Sequence, residues 1–520
     1  MLDHTEVRYA GYGTWGGISL SGGAPTLRDC VIRDCQAAGL SFYAASLPVV
    51  QRCHFQSNGG AAVTGAGCGD IGGFFQCTAN GNAGGDFQAM APHTVVGNAT
   101  VVADNLIGGA AVVSGAVHVQ AGASLTLGPN VVLKVSQPAI WDIVGELHVQ
   151  ATPAQPAVIT VYSDDAFGGD TDRNGPSTGA PGQWIGLWLR NTASHSTIRG
   201  LRVRYAGGNG FPALTQYTNT NYTLLDTRIE HSAADAFELR GHVGTATGLV
   251  AWHCAGIGIE LLDGTFDVRQ ATVVDCGTGI AHAAAFGGEV HDSIAWNNVS
   301  ANTAGFIAGE WRFSNGLGGL AGIDGNLFTD PQFLDEGNGV LALSPTSTCI
   351  DAGNPASPLD PDSTRADMGA FPFDQCAPQT YCVGKLNSCG TVPAIGWIGT
   401  MTAGASSGFR VRATQVAGGR MGILMYGNSG PTAVPFLGGT LCVQPPLRRS
   451  VPTIDTLGTQ GQCNGVLELD FAAFASGNSG GNPASWLTTP GQFVWCQYWG
   501  RDEPTGETIL TNALTFRICP

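Results

Sequence analysis

RIEHSAADAFEL (Arg228–Leu239), VAWHCAGIGIEL (Val250–Leu261), TVVDCGTGIAHA (Thr272–Ala283) and IAWNNVSANTAG (Ile294–Gly305) follow one another at 22-residue intervals. Aligned, they place His231, His253, Asp275 and Asn297 in one column and Ser232, Cys254, Cys276 and Asn298 in the next. Each unit reads as short aliphatic alternation, a polar corner, a small-residue turn and apolar alternation again. The same interval recurs near the start, where Cys30 and Cys53, like Cys35 and Asn58, are 23 residues apart. A unit of this length holding about three short strands is what a parallel β-helix needs: one unit makes one rung, and equivalent residues stack at ~4.8 Å. The polar column then reads as a ladder of turn residues bonded to their copies above and below, in preference to a metal or catalytic column.

Working outward, VRYAG occurs at Val7–Gly11 and again at Val203–Gly207, 196 residues apart (203 minus 7). The chain therefore reads as starting partway through one helical module, 1–105, followed by a more complete one, 106–373. Its first residues, MLDHTEVRYAG, lack the basic and apolar regions of a signal peptide, so the N-terminus is expected to be truncated. After Phe373 the 22-residue period stops. Alternating runs such as FRVRATQV, VLELDF and FVWCQYW, separated by Gly, Pro and Asn, predict a cysteine-rich β-sandwich over 374–520.

Composition narrows the function classes. Glycine numbers 77 of 520 residues without a Gly-X-Y period, which suits an all-β chain with many tight turns. Lys+Arg total 23 against 39 Asp+Glu, a net charge of −16 that repels phosphate backbones and excludes nucleic acid as an expected partner. There is no apolar run long enough for a transmembrane segment. Fifteen cysteines include no CxxC pair, and seven of them fall after Phe373, which fits disulfides in an extracytoplasmic compartment better than zinc.

The opening of the second module (SGAVHVQAGASLTLGPNVVLKV, Ser114–Val135), GQWIGLWL and VRYAG resemble the right-handed parallel β-helix modules of large secreted bacterial proteins, within the broad pectate-lyase-like superfamily. The stretch Asp330–Phe371, with SPTSTCIDAG and ADMGAF, resembles the segment that closes such helices in bacterial surface proteins. The last domain looks like one found on exported proteins of planctomycete-like bacteria. These resemblances imply fold and an extracellular or cell-surface location. They do not imply an activity, because β-helices carry lyases, hydrolases and adhesins alike.

Two groups of residues carry candidate chemistry. SDDAFGGDTDRNG (Ser163–Gly175) interrupts two strands with Asp164, Asp165, Asp170 and Asp172. Asp170, Asp172 and Asn174 have the alternate spacing of a calcium loop with Gly175 at its sharp turn, and Asp164 or Asp165 is expected to complete the shell. Pro181 stands where an EF-hand would supply its last carboxylate, so the pattern is partial, and calcium is weighed against a solvated loop and a catalytic centre. The catalytic alternative is Glu238 with Glu260, 22 residues apart on equivalent strands, where two carboxylates on adjacent rungs would repel and raise one pKa.

Lysine chemistry is poorly served: Lys134 is the sole lysine of the helix and belongs to its opening rungs, while Arg202 and Arg204 flank an inward Val203 and read as surface residues. In the terminal domain Cys442 with Cys463, and Cys496 with Cys519, are expected as disulfides. Trp486, Trp495, Tyr498 and Trp499 read as core packing rather than as a sugar platform. The expected function is a non-catalytic surface protein that adheres to or binds an extracellular polysaccharide or cell-surface glycan, stiffened by Ca2+. A polysaccharide lyase or glycoside hydrolase is the alternative.

Overall fold

The computed structural model describes all residues except 191–194, 218–221, 242–244, 456–457, 461 and 503–506. These form two compact units, Met1–Pro358 with Arg365–Phe373, and Leu359–Thr364 with Asp374–Pro520.

The first unit is a parallel β-helix of about 13 turns. Its spine is a twelve-strand ladder running from Ile18–Ser21 to Ile294–Trp296. A second ladder, from His93–Val95 to Ala301–Ala304, and a third, from Asn98–Val101 to Trp311–Arg312, complete the later turns with nine strands each. Alternate residues point inward and stack in register, as Ile229, Ala251, Val273 and Ala295 do along the spine. All four are fully buried.

Across residue 105, where the sequence places a module boundary, the spine is continuous: Gln88–Met90 pairs with Ala111–Val113. The other sides change. Two four-strand ladders flank the spine in the first turns, and their last strands are Phe74–Phe75 and Thr78–Asn80. Two 3-10 turns, Ala103–Asn105 and Ile107–Gly109, lie over those last strands as the second and third ladders take over. The two VRYAG copies consequently occupy different ladders, Val7 on a short one and Val203 on the spine. Their corners are nonetheless alike, with Tyr9 at φ 53° and Tyr205 at φ 57°.

That corner explains the polar column. His231, His253, Asp275 and Asn297 have φ between 52° and 56°, a left-handed conformation that Asn, Asp and His tolerate and β-branched residues do not. The next column forms a ladder of buried hydrogen bonds. Asn58 accepts from Cys35 N at 3.1 Å and donates to Ile32 O at 3.1 Å and Asn82 Oδ1 at 2.7 Å. Asn298 repeats the motif, accepting from Cys276 N at 2.9 Å and donating to Val273 O at 3.2 Å.

The segment expected to close the helix covers its side. An antiparallel pair, Phe333–Asp335 with Val340–Leu343, and the stretch Arg365–Phe371 lie on the outer face of the last spine strands, where Leu341 packs with Val250 and Val274, and Leu343 and Met368 with Ile294.

The second unit contains antiparallel sheets enclosing one core. Ile395, Val411 and Leu467 from a three-strand sheet meet Tyr426, Tyr498 and Leu514 from a six-strand sheet. Tyr498 is fully buried and Trp486 packs against this core, in line with the packing reading of the aromatics. The expected disulfides are not the ones present. The bridges are Cys376–Cys519, Cys382–Cys442 and Cys389–Cys463, with Cα separations of 5.9, 6.2 and 6.1 Å. Cys496 is free because its strand turns it into the core, where it is completely buried, while the three cysteines of the entering segment each meet one farther along the chain.

Peptide mapping without reduction should return these three bridges and Cys496 as a thiol. Recovery of a Cys496–Cys519 peptide would contradict the structure. Asn58→Ala should cost about 1–3 kcal/mol, because it leaves the Cys35 N–H buried and unpaired. The denaturant midpoint of the purified chain reads this directly.

Candidate functional site

The acidic excursion leaves the spine after Ala157–Val161 and lies back on its outer face. Phe167 packs on Ala110, Val132 and Val158, and Lys134, fully buried, donates to Gly169 O at 2.5 Å and Thr171 Oγ1 at 3.1 Å. Burial pulls the Lys134 pKa down, with the carboxylates of Asp165 and Asp164 acting the other way. Lys134 is thus an anchor for the loop, a role its place in the opening rungs did not reveal.

Asp165, Asp170 and Asp172 converge, each offering an oxygen within 4.8 Å of the others. Asp165 Oδ2 accepts from Ser177 N at 2.7 Å, while its buried Oδ1 has no hydrogen-bond partner. Asp170 accepts from Gly175 N at 3.1 Å, and Gly175 sits at φ 85°, as the sharp turn requires. Burial, and with it the adjacent Asp170, raises the Asp172 pKa. Asn174 turns its amide nitrogen to Asp172 Oδ2 at 2.9 Å. Asp164 is not part of this group. It is fully buried, accepts from Thr160 Oγ1 at 2.6 Å and lies 2.9 Å from Arg204 Nε. Asp164 therefore lies apart from the converging carboxylates, which are those of Asp165, Asp170 and Asp172.

Arg204 leads to a second cluster. Arg202 and Arg204 do point away from the helix interior, as alternation around Val203 requires, but the excursion covers that face. Their guanidinium groups sit over the Phe167 ring at 4.9 and 5.3 Å. Glu230, one rung on and opposite Arg204, is fully buried among Arg202, Arg204 and Arg228. Burial alone would raise its pKa, but the three guanidinium groups hold it below the usual carboxylate range. A pocket of about 100 Å³ opens beside this cluster between Arg202, Arg228, Asp226, Pro153, Pro156 and Phe371. The alternation LRVR, then RIE one rung later, was the signal in the sequence for charge stacked on charge.

The second ladder carries the other candidates on its outer face. His118, Asp142, Trp188, Thr215, Glu238 and Glu260 are paired in register on six successive strands. Glu238 and Glu260 are thus adjacent, as the spacing predicts, and Arg240 Nε binds Glu238 Oε1 at 2.8 Å. Burial, then Asp235 and Glu238, raise the Glu260 pKa. Two strands before Glu238 stands an aromatic group absent from the sequence reading. Arg190 lies 4.6 Å over the Trp188 ring and 4.8 Å over Tyr217, and is held by Asp142 Oδ1 at 2.5 Å. Phe211, 42% exposed, meets Trp188 edge-on at 5.3 Å.

No family model matches the chain, and no curated protein does either. The surface geometry alone therefore carries the functional argument.

Glu230→Gln should destabilise the helix by about 3–5 kcal/mol, since it removes the buried counterion shared by Arg202, Arg204 and Arg228 and leaves Arg204 with Asp164 alone. The pH dependence has a defined sign. A carboxylate whose folded pKa is depressed stabilises above its unfolded value and loses that contribution as pH falls through the folded one. Wild-type stability should therefore fall as the pH drops below the ordinary Glu value of 4.5, and Glu230→Gln should flatten that slope in acid denaturation curves.

Proposed function

We propose that the chain is an extracellular or cell-surface protein of the pectate-lyase-like β-helix type that binds a polysaccharide or cell-surface glycan without cleaving it, and whose acidic excursion holds Ca2+. The observation that supports glycan binding best is the outer face of the second ladder, where Arg190 stacks on Trp188 and Tyr217, Phe211 meets Trp188 edge-on, and Glu238 stands two strands on. The apolar C–H face of a pyranose stacks on aromatic rings, while its hydroxyls need the charged and polar groups that flank them here. Three disulfides fit an oxidising compartment, and among the described residues no helix is long and apolar enough to cross a membrane. Retention of the full chain on immobilised neutral and acidic polysaccharides tests the reading. Trp188→Ala should weaken retention about tenfold or more, equivalent to roughly 1.4 kcal/mol. Equal retention of both proteins would sink it.

A second reading rests on Glu238 and Glu260. Adjacent carboxylates with the Glu260 pKa raised supply an acid and a base, which is what glycoside hydrolysis uses. New reducing ends or unsaturated product released from a retained polysaccharide, and lost in Glu260→Gln, would favour an enzyme.

For calcium, Asp165, Asp170 and Asp172 are the proposed ligands, with Lys134 beneath them already offsetting part of their charge. An ion that binds the native state alone raises stability by about 2.7 kcal/mol at one hundred times its dissociation constant. Chelation should lower the melting temperature of the wild type and leave Asp170→Ala with Asp172→Ala unmoved. Identical wild-type melting in calcium and chelator would assign the loop to Lys134 and Arg204 alone.

A further inference from the structure

Three cysteines of the first turns stack in one corner. Cys30, Cys53 and Cys77 each precede the first residue of a strand in the same short ladder, the pairing running Val31 to His54 to Thr78. The backbone confirms the stacking: His54 N donates to Cys30 O at 2.8 Å and Thr78 N to Cys53 O at 3.0 Å. Equivalent residues on neighbouring parallel strands are ~4.8 Å apart, inside the Cα range a disulfide spans. The three differ in exposure. Cys30 and Cys53 are each 1% exposed, whereas Cys77, on the last strand of its ladder, is only partly buried.

We propose that Cys53 and Cys77 are a redox-active pair that closes to a rung-to-rung disulfide when a small-molecule disulfide such as oxidised glutathione reaches Cys77. The Cys77 thiolate attacks one sulfur of the oxidant and expels the first thiolate, which takes a proton from water. Cys53 then gives up its proton, attacks the Cys77 sulfur of the mixed disulfide and releases the second thiolate. The two cysteines lose two electrons and two protons, and the oxidant becomes two thiols. The roles follow from position: Cys77 is the sulfur that solvent reaches and Cys53 is enclosed, and the neighbouring thiol lowers the Cys77 pKa while, with burial, it raises that of Cys53. The thiolate, which is the nucleophile, therefore forms on the accessible sulfur. The later turns supply a control. Cys254 and Cys276 also occupy neighbouring rungs, but both lie within the core, and burial raises the Cys254 pKa well above the ordinary thiol value.

The folded full-length chain, incubated with oxidised glutathione and alkylated under denaturing conditions, tests this. The wild type should lose two of its nine free thiols, restored by a dithiol reductant, with Cys53 linked to Cys77 in the peptide map. Cys53→Ser should trap glutathione on Cys77, and Cys77→Ser should lose no thiol. The proposal falls if the wild type loses none, if the linkage is Cys30–Cys53, or if Cys254 and Cys276 are consumed at the same rate. Should either variant fail to fold, the wild-type map still decides.

Discussion

Every other feature of the helix depends on one requirement, that each turn present the next with the same row of backbone donors and acceptors. Parallel strands meet it only if the strands of successive turns keep register and bend at the same places. The bends are where side-chain chemistry enters. A corner at positive φ excludes β-branched residues, and Tyr205, His231, His253, Asp275 and Asn297 occupy it in succession. The adjacent inward position must bond the backbone that the bend exposes, and Asn58, Asn82 and Asn298 do so from within. The 22-residue period is thus the repeat length of a hydrogen-bonding problem solved the same way each turn.

For that reason the architecture was legible in the sequence and much of the site was not. Corner residues repeat, so Asp275 and Asn297 disclosed the turn. Inward positions alternate, so Ile259 and Leu261 correctly set Glu260 outward beside Glu238. What the period does not encode is coverage of the outer faces. Arg202 and Arg204 lie on an outer face as read, yet are enclosed because an excursion and a side-covering segment fold over that face. Trp188, Arg190 and Tyr217 were missed because they come from strands whose connecting segments differ in length, which breaks the alignment that makes columns visible. Asp164 and Asp165 are neighbours in sequence with opposite environments, and only the path of the loop separates them. The disulfides failed on similar grounds, since pairing by adjacency along the terminal strands overlooked the entering segment that carries Cys376, Cys382 and Cys389.

The outer faces of the helix divide their labour by dielectric. On the spine, aromatic and aliphatic cover excludes water from Lys134, Asp164, Arg204 and Glu230, and such charges specify geometry because each is costly without its partner. On the second ladder the charges of Asp142, Arg190, Arg240 and Glu238 remain in reach of solvent beside aromatic rings. Charge that is already neutralised and enclosed has little left to offer a ligand. Charge held in place at a wet surface has its binding capacity intact.

Between Asn80 and Ala111 only the spine, among the described ladders, passes from the first turns to the later ones. In an array whose stability is the sum of contacts between neighbours, such a joint carries the fewest hydrogen bonds per turn. Under tension along the axis, the load that three ladders share elsewhere falls here on one. Within the β-helix, a pull strong enough to part the strand ladders would part them there first.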